Sequence, residues 1–326
     1  MVRVAVIDVG TVTARLAIAD CEGDRVVSLR RTSEIVNLGQ GVDETGYLRE
    51  DAQERLLRVI DGYLKEISAS RVDAVCSTMT SAARDARNAQ DLVDAFSARG
   101  LASQVIPGTV EGSLTFLGVA QDFASTPLIV ADNGGGSTEF ALGELTDARE
   151  LDLSFVRSID VGCRRLTEKF LAHADPPEDE DVELAHEFCH DAFQEIVGRV
   201  ADAGRVPGRL VVTGGTVTTL VALKKRLVPY DSTQVHLATL TREDVLEQER
   251  HLASVPLKIR AQLKGIQVKR APVILGGAIA VGEIMDTLGF SELTVSESDL
   301  LVGLSLTVAA CVQGNKTPLD WTPLLS

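Results

Sequence analysis

Short apolar runs, each bounded by Gly or Asp, fill the beginning of the chain. The segments RVAVIDVG, TARLAIADCEGD and DRVVSLRRTSEIV are rich in β-branched residues, which predicts three consecutive strands. The pattern then changes, because apolar residues recur every three or four positions over 50–67 and predict an amphipathic helix. A buried strand (VDAVCST), a helix over 80–98, a strand (SQVIPG) and a helix from about Val110 complete this half.

The same order of elements restarts after the segment DFASTP. Three strands are predicted for LIVADNGGG, TEFALGEL and RELDLSFVRSIDVG, and an acidic loop (DPPEDED) then leads into a long helix. Five further elements are then predicted: a strand (RLVVTGG), a helix from Thr216, a largely helical segment (APVILGGAIAVGEIMDTLGF), a strand (ELTVSES) and a helix over 299–312. This mixed order predicts an α/β fold with partly antiparallel sheets, arranged as two similar domains with a cleft between them.

One strand–turn–strand pattern occurs twice, as VIDVGTVTARLAI and VADNGGGSTEFAL, at a constant offset of 124 positions. Turns built from Gly and hydroxyl residues can aim several backbone N–H groups at one anion. An Asp at the end of the preceding strand would repel a bound phosphate unless Mg²⁺ bridges them, which makes Asp8 and Asp132 candidate ligands. A single copy is more typical of an ordinary hairpin, but two copies in register favour phosphate binding.

Two further glycine pairs follow apolar runs. Gly214 and Gly215 stand between a predicted strand and a helix start, a position suited to an anion or a nucleotide. Gly276 and Gly277 are compatible both with a ligand contact and with close helix packing.

Composition limits the classes of partner. The chain has 326 residues, enough for two domains, and a formal net charge of −15, which argues against nucleic acid and anionic membranes. Five scattered cysteines form no CxxC pair and are typical of reduced thiols in the cytoplasm. We expect no signal peptide and no membrane span, since no uncharged apolar stretch reaches about 18 residues.

The segment HEFCH, from His186 to His190, matches the HExxH pattern of zinc peptidases. The pattern is short, and none of the other three histidines stands at a metzincin spacing, although a Glu could supply a third ligand. A solvated helix face is the preferred interpretation over a zinc site.

Seven segments, in order, resemble the exopolyphosphatase / guanosine pentaphosphate phosphohydrolase family of the actin-like and sugar-kinase ATPase superfamily. They are VIDVGT, TSAARDARN, GTVEGSLTFLGV, DNGGGSTE, VGCRRLTEKF, VVTGGTVTTL and VILGGAIAV. The resemblance implies two actin-like (ribonuclease H-like) domains with mixed sheets and an interdomain cleft, in the short two-domain form. The expected domains are 1–122 with a helix at about 305–318, and 123–304 with a helical insertion. The resemblance also favours a homodimer.

The resemblance further implies Mg²⁺-dependent hydrolysis of terminal phosphoryl groups by direct attack of water. Glu111, Asp132 and Glu139 would be catalytic, with Glu111 orienting or deprotonating the water, and Asp8, Asp132 and Glu139 would lie at the metal. Substrate-binding roles fall on glycines, hydroxyl residues and two arginines: Gly10, Thr11, Thr13, Arg84, Gly134, Gly135, Gly136, Ser137, Thr138, Gly214, Gly215 and Arg270. Arg165 would either guide a polyphosphate chain or form a salt bridge.

Five positions depart from the family pattern: Val12 (usually Asn), Asn37 (Arg), Val110 (Glu), Asn133 (apolar) and Pro272 (Asp). These departures bear on rate and substrate preference. Inorganic polyphosphate is the first expected substrate and guanosine pentaphosphate (pppGpp) the second. Two other classes stay open: a regulator that binds polyphosphate or nucleotide without turnover, and a small-molecule kinase, which Glu111 disfavours because its context suits water as the acceptor.

Overall fold

A five-stranded sheet and a six-stranded sheet carry the fold in a computed structural model that describes residues 1–326. The chain divides into two units. The first comprises Met1–Ala124, Leu145–Leu151 and Asp299–Ser326, and the second comprises Ser125–Glu144 and Asp152–Ser298. Both sheets mix parallel and antiparallel pairs, which confirms the predicted α/β class.

The sheet of the first unit has the order β3-β2-β1-β4-β5. Its strands are β1 (Val2–Val9), β2 (Thr13–Glu22), β3 (Arg25–Ile35), β4 (Ala74–Met79) and β5 (Ser103–Val105). Its helices are α1 (Val42–Thr45), α2 (Glu50–Ser70), α3 (Ser81–Asp85), α4 (Ala89–Ser97) and α5 (Gly108–Ala120). Side chains alternate along β1, so that one face packs on α2 and α4 and the other on α5 and the last helix of the chain.

The helix predicted over 80–98 is broken into α3 and α4, so that prediction is wrong in this detail. The Arg87 N–H donates to the Gly46 carbonyl at 2.9 Å, and the Leu48 N–H donates to Asn88 Oδ1 at 2.8 Å. These bonds tie the break to a distant loop and divert the backbone from the helix. An apolar pattern within 80–98 carries no sign of such a long-range contact.

The sheet of the second unit has the order β10-β11-β9-β6-β7-β8. Its strands are β6 (Leu128–Asn133), β7 (Thr138–Leu145), β8 (Leu151–Ile159), β9 (Arg209–Thr213), β10 (Thr239–Thr241) and β11 (Glu292–Val295). Its helices are α6 (Cys163–Leu166), α7 (Asp179–Asp202), α8 (Gly215–Lys225), α9 (Ser232–Val235), α10 (Arg242–Ser254), α11 (Leu257–Arg260) and α12 (Ile274–Leu288). The last helix, α13 (Leu300–Val312), belongs to the first unit. A π-helical turn (Thr167–Leu171) and a 3-10 turn (Val268–Arg270) complete the helical segments.

The glycines of α12 are packing residues. A β-carbon on Gly276 would lie 2.7 Å from the Cys163 carbonyl oxygen, and one on Gly277 would overlap Thr216. This contact favours the close-packing interpretation of the pair. No helix in the chain is both long enough and apolar enough to span a membrane.

Helices α5 and α13 approach each other through two glycines, Gly118 and Gly303. A β-carbon on Gly303 would overlap the Leu114 carbonyl and lie 3.2 Å from the Gly118 nitrogen, and these backbone atoms cannot rotate away. We therefore expect Gly303→Ala to lower the free energy of unfolding by about 3 kcal/mol. Gly62→Ala, in the open middle of α2, should instead raise it by about 0.5 to 1 kcal/mol. Urea unfolding of both variants tests the contrast, and equal effects would contradict it.

Candidate functional site

The repeated pattern forms one hairpin in each sheet, with equivalent register. Asp8 of β1 lies opposite Arg15 of β2, and Asp132 of β6 lies opposite Glu139 of β7. Both pairs are related by the offset of 124 found in the sequence. The two hairpins therefore differ at one decisive position, where the first carries a cation and the second a carboxylate.

The first turn leaves backbone N–H groups without acceptors. The Gly10 N–H closes the turn onto the Thr13 carbonyl at 2.9 Å, whereas the N–H groups of Thr11 and Val12 have no hydrogen-bond partner within the protein. The Thr11 Oγ1 atom is also buried without a partner. Because buried polar groups are nearly always paired, this cluster of donors indicates a site for an anion.

The second turn has the same construction. The Gly134 N–H donates to the Ser137 carbonyl at 3.0 Å, and the N–H groups of Gly135 and Gly136 have no partner within the protein. The hydroxyl of Thr138, by contrast, donates to the Val161 carbonyl at 2.6 Å and is engaged in the core. The backbone of this turn, rather than the Thr138 hydroxyl, is available to an anion.

Two buried carboxylates lie beside the second turn. Asp132 is 9% exposed and Glu139 is 2% exposed, and they are cross-strand neighbours on one face of the sheet. Ser137 and Ser158 donate hydrogen bonds to Glu139 Oε1 at 2.8 and 2.6 Å. Adjacent buried carboxylates repel each other unless a cation lies between or beside them, so the pair fits Mg²⁺. No three His, Cys, Asp or Glu side chains gather to hold a metal unaided, and Mg²⁺ typically completes its shell with phosphate and water.

Asp8 is held differently. Arg15 donates to its Oδ2 at 2.6 Å and also to Asp299 at 2.6 Å, while Asp8 Oδ1 is buried without a hydrogen-bond partner. Burial raises the pKa of the Asp8 carboxyl, and the positive charges of Arg15 and Arg84 act in the opposite direction. The unpartnered Oδ1 could ligate a metal directly or accept a hydrogen bond from a metal-bound water.

Glu111 lies in the first turn of α5 and is 9% exposed. Its Oε2 accepts a hydrogen bond from Arg84 Nη1 at 2.5 Å, and Arg84 also donates to the Ile106 carbonyl at 3.1 Å. Arg84, expected to bind phosphate, is thus paired with the candidate water-activating carboxylate. A bound cation favours the ionised carboxylate and fixes its orientation.

The remaining candidates of the second unit meet at the start of α8. Gly214 has a φ of 105°, a conformation that favours glycine, and a β-carbon there would lie 3.1 Å from Asp132 Oδ1. The Arg270 guanidinium lies against Gly215, where any β-carbon would overlap it. Gly214 therefore borders Asp132, and Arg270 lies against the next residue, Gly215.

Comparison with known proteins decides the family. Residues 17–307 match the model of the Ppx/GppA phosphatase family. The chain is 37% identical to exopolyphosphatase 2 of Mycobacterium tuberculosis, covering 95% of this chain and 99% of the relative. The chain belongs to the Ppx/GppA phosphatase family.

Two solved structures from this family show how far the likeness extends. The Aquifex aeolicus Ppx/GppA family member superimposes with a TM-score of 0.78 at 30% identity, covering 97% of this chain and 99% of that one. An exopolyphosphatase from Cytophaga hutchinsonii gives a TM-score of 0.82 at 25% identity, covering 96% and 99%. The family's fold thus extends over nearly the whole chain.

Sequence reasoning missed the two groups that hold Asp8 in this Ppx/GppA protein. Arg15 stands 124 positions before Glu139, so the repeat itself would have found it. Asp299, the N-cap of α13, gave no local signal of its contact with Arg15, which joins residues 284 positions apart.

The HEFCH segment is a structural ion cluster. His186 on α7 contacts Glu283 of α12 through Nδ1 at 2.7 Å and Glu249 of α10 through Nε2 at 2.9 Å, with His190 3.5 Å from Glu283. His186 is therefore a partly buried bridge between helices rather than part of a solvated face, and the cluster is not a metal centre. Hydrogen bonds to both carboxylates raise the pKa of His186 from its ordinary 6.5 to about 9.

Stability should therefore depend on pH through His186. The pKa of His186 is higher in the folded protein than in the unfolded chain. Its contribution to the free energy of unfolding is therefore complete below pH 6.5 and is lost as the pH rises through about 9. With partial exposure taken into account, the loss should be roughly 2 kcal/mol. His186→Gln should abolish this part of the pH dependence in urea unfolding, whereas His173→Gln, at an exposed site, should retain it. Parallel curves for wild type and His186→Gln would contradict the assignment.

Proposed function

We propose that the protein is an exopolyphosphatase that hydrolyses the terminal phosphoryl group of inorganic polyphosphate with Mg²⁺. The observation that carries the proposal is the pair of turns with N–H groups that have no hydrogen-bond partner within the protein, each turn following a strand that contains an Asp. Membership of the Ppx/GppA phosphatase family and the likeness to exopolyphosphatase 2 support it.

The residues have distinct roles in this proposal. The N–H groups of Thr11 and Val12 in the first unit, and those of Gly135 and Gly136 in the second, would each bind phosphoryl oxygens, where charge collects in the transition state. Glu111, held by Arg84, would orient the attacking water in line with the leaving oxygen. Its main role would be to position the water, because phosphoryl transfer depends mainly on positioning and charge stabilisation. Arg270 would neutralise further phosphates.

Magnesium would be held by Asp132 and Glu139, with phosphate oxygens and water completing its shell. Asp8 of the first unit, whose Oδ1 has no hydrogen-bond partner, would accept a hydrogen bond from a metal-bound water. When bound, the ion supplies charge neutralisation and orientation of the phosphates. The carboxylate pair and a phosphate are both negatively charged, so the pair would keep phosphate from binding to the second turn unless a cation is present. This arrangement links substrate affinity to Mg²⁺.

A homodimer and a cytoplasmic location belong to the same proposal. All five cysteines are free and four of them are buried, which fits a reducing compartment. Light scattering coupled to gel filtration tests the dimer directly.

The function is tested by phosphate release from long polyphosphate, short polyphosphate, pppGpp and ATP, each with Mg²⁺ and with excess chelator. We expect the largest kcat/KM for polyphosphate and no release with chelator. A larger kcat/KM for pppGpp would move the substrate assignment to the guanosine nucleotide. Binding of polyphosphate without any release would identify a regulator, and phosphoryl transfer to a small molecule would identify a kinase.

A further inference from the structure

The chain segment after the third strand supports the glycine turn in each unit. β3 ends at Ile35 and β8 at Ile159, again 124 positions apart. In the first unit, the Gly39 N–H donates to the Thr11 carbonyl at 2.8 Å. In the second unit, the Arg164 N–H donates to the Gly135 carbonyl at 2.8 Å. The same contact thus recurs in two units that share little sequence at these positions.

In the second unit, three successive carbonyls of the turn are occupied. Cys163 N–H donates to Gly134 at 3.0 Å, Arg164 N–H to Gly135, and Arg165 Nε to Gly136 at 2.8 Å. The carbonyl and the N–H of one trans peptide point in opposite directions. The Gly134 and Gly135 carbonyls share their peptides with the N–H groups of Gly135 and Gly136, so fixing these two carbonyls on one side aims those N–H groups to the other side, where they have no partner in the protein.

Gly162 lies directly behind the turn. Its φ of −145° is available to any residue, so conformation does not explain the glycine. A β-carbon there would lie 2.5 Å from the Gly135 carbonyl carbon and 2.6 Å from that of Gly136. These are backbone atoms of the turn itself, so an added methyl group would displace the turn.

We infer that Gly162 is a positioning residue that sets the direction of the phosphate-binding N–H groups of Gly135 and Gly136, and that Arg165 supports it by holding the next peptide of the turn, between Gly136 and Ser137. The inference rests on the proposed function in taking the ligand of the turn to be a phosphoryl group. It gives Arg165 a role other than guiding the polyphosphate chain, because its Nε is committed to the turn. Neither Gly162 nor Arg165 needs to touch the substrate in this role.

Gly162→Ala tests the inference, with Gly198→Ala on the open face of α7 as the matched control. The readouts are kcat and KM for polyphosphate, the urea unfolding midpoint, and the rise in melting temperature that inorganic phosphate with Mg²⁺ produces. We expect Gly162→Ala to stay folded, to lose about 100-fold in kcat/KM and to lose the phosphate-dependent rise. Gly198→Ala should retain both. A folded Gly162→Ala protein with wild-type phosphate protection would overturn the inference.

Arg165→Met gives a second test that adds no bulk behind the turn. Loss of one charge-assisted hydrogen bond should weaken phosphate protection and kcat/KM by about tenfold. This variant decides the matter if Gly162→Ala does not fold, and wild-type behaviour would overturn the role of Arg165. The rise in melting temperature with phosphate distinguishes a failure of the proposed function from a failure of the positioning role. If the wild type is protected by phosphate but releases none from polyphosphate, the proposed function fails and the positioning role is still measured. No protection of the wild type would contradict the positioning role itself.

Discussion

Replacing Glu111 by Gln is expected to lower kcat for polyphosphate by about 10² to 10⁴-fold and to leave KM nearly unchanged. Gln has the same shape and still offers an oxygen to Arg84, which lies 2.5 Å from Glu111 Oε2. It removes only the negative charge that orients and polarises the attacking water. The loss therefore belongs to the chemical step rather than to substrate binding, and initial rates over a range of polyphosphate concentrations separate the two.

The matched control for this variant is Glu50→Gln, which also removes a carboxylate from the first turn of a helix. It should change the rate little, because Glu50 is exposed at the start of α2 and belongs to neither turn. Equal kcat for wild type and Glu111→Gln would remove Glu111 from the mechanism. A raised KM with normal kcat would instead make Glu111 a substrate-binding residue.

Asp132→Asn is expected to raise the Mg²⁺ concentration needed for half-maximal activity and to lower kcat by about 100-fold or more. Asp132 and Glu139 are the only directly opposed carboxylates in the two hairpins, and removing one charge removes much of their attraction for a cation. Asn keeps the size of the side chain, so the turn should keep its shape. Magnesium titrations of activity measure the shift.

Asp8→Asn provides the comparison for that prediction. Arg15 already neutralises Asp8 and is shared with Asp299, so Asp8 contributes less free negative charge than Asp132. We expect a smaller shift in the Mg²⁺ requirement for Asp8→Asn than for Asp132→Asn. An unshifted Mg²⁺ curve for Asp132→Asn would contradict the assignment of the metal to the second hairpin.

The sequence was informative where function depends on local backbone geometry. Strand–turn–strand patterns with Gly after Asp predicted both hairpins, and the offset of 124 predicted that they are equivalent. The α/β class followed from the same repeat. The departure at Val12 leaves the backbone N–H of the turn in place, since any residue but Pro supplies that donor.

The contacts that sequence could not supply are those between distant segments. Arg84 pairs with Glu111 across 27 positions, and Arg15 reaches Asp299 across 284. The pattern of polar and apolar residues within one helix or strand does not show which charged residue of another element will contact it. The role of Gly162 was hidden for a related reason: its backbone conformation is ordinary, and only the position of the second turn requires a glycine.

The central claim is that the polyphosphate chain is broken by delivery of a water oxygen to its terminal phosphorus atom. Hydrolysis of polyphosphate by the wild-type protein in oxygen-18 water, followed by mass analysis of the products, tests it most directly. The account predicts that each released phosphate carries one solvent oxygen and that the shortened chain carries none. Solvent oxygen in the shortened chain, or its absence from the released phosphate, would contradict it.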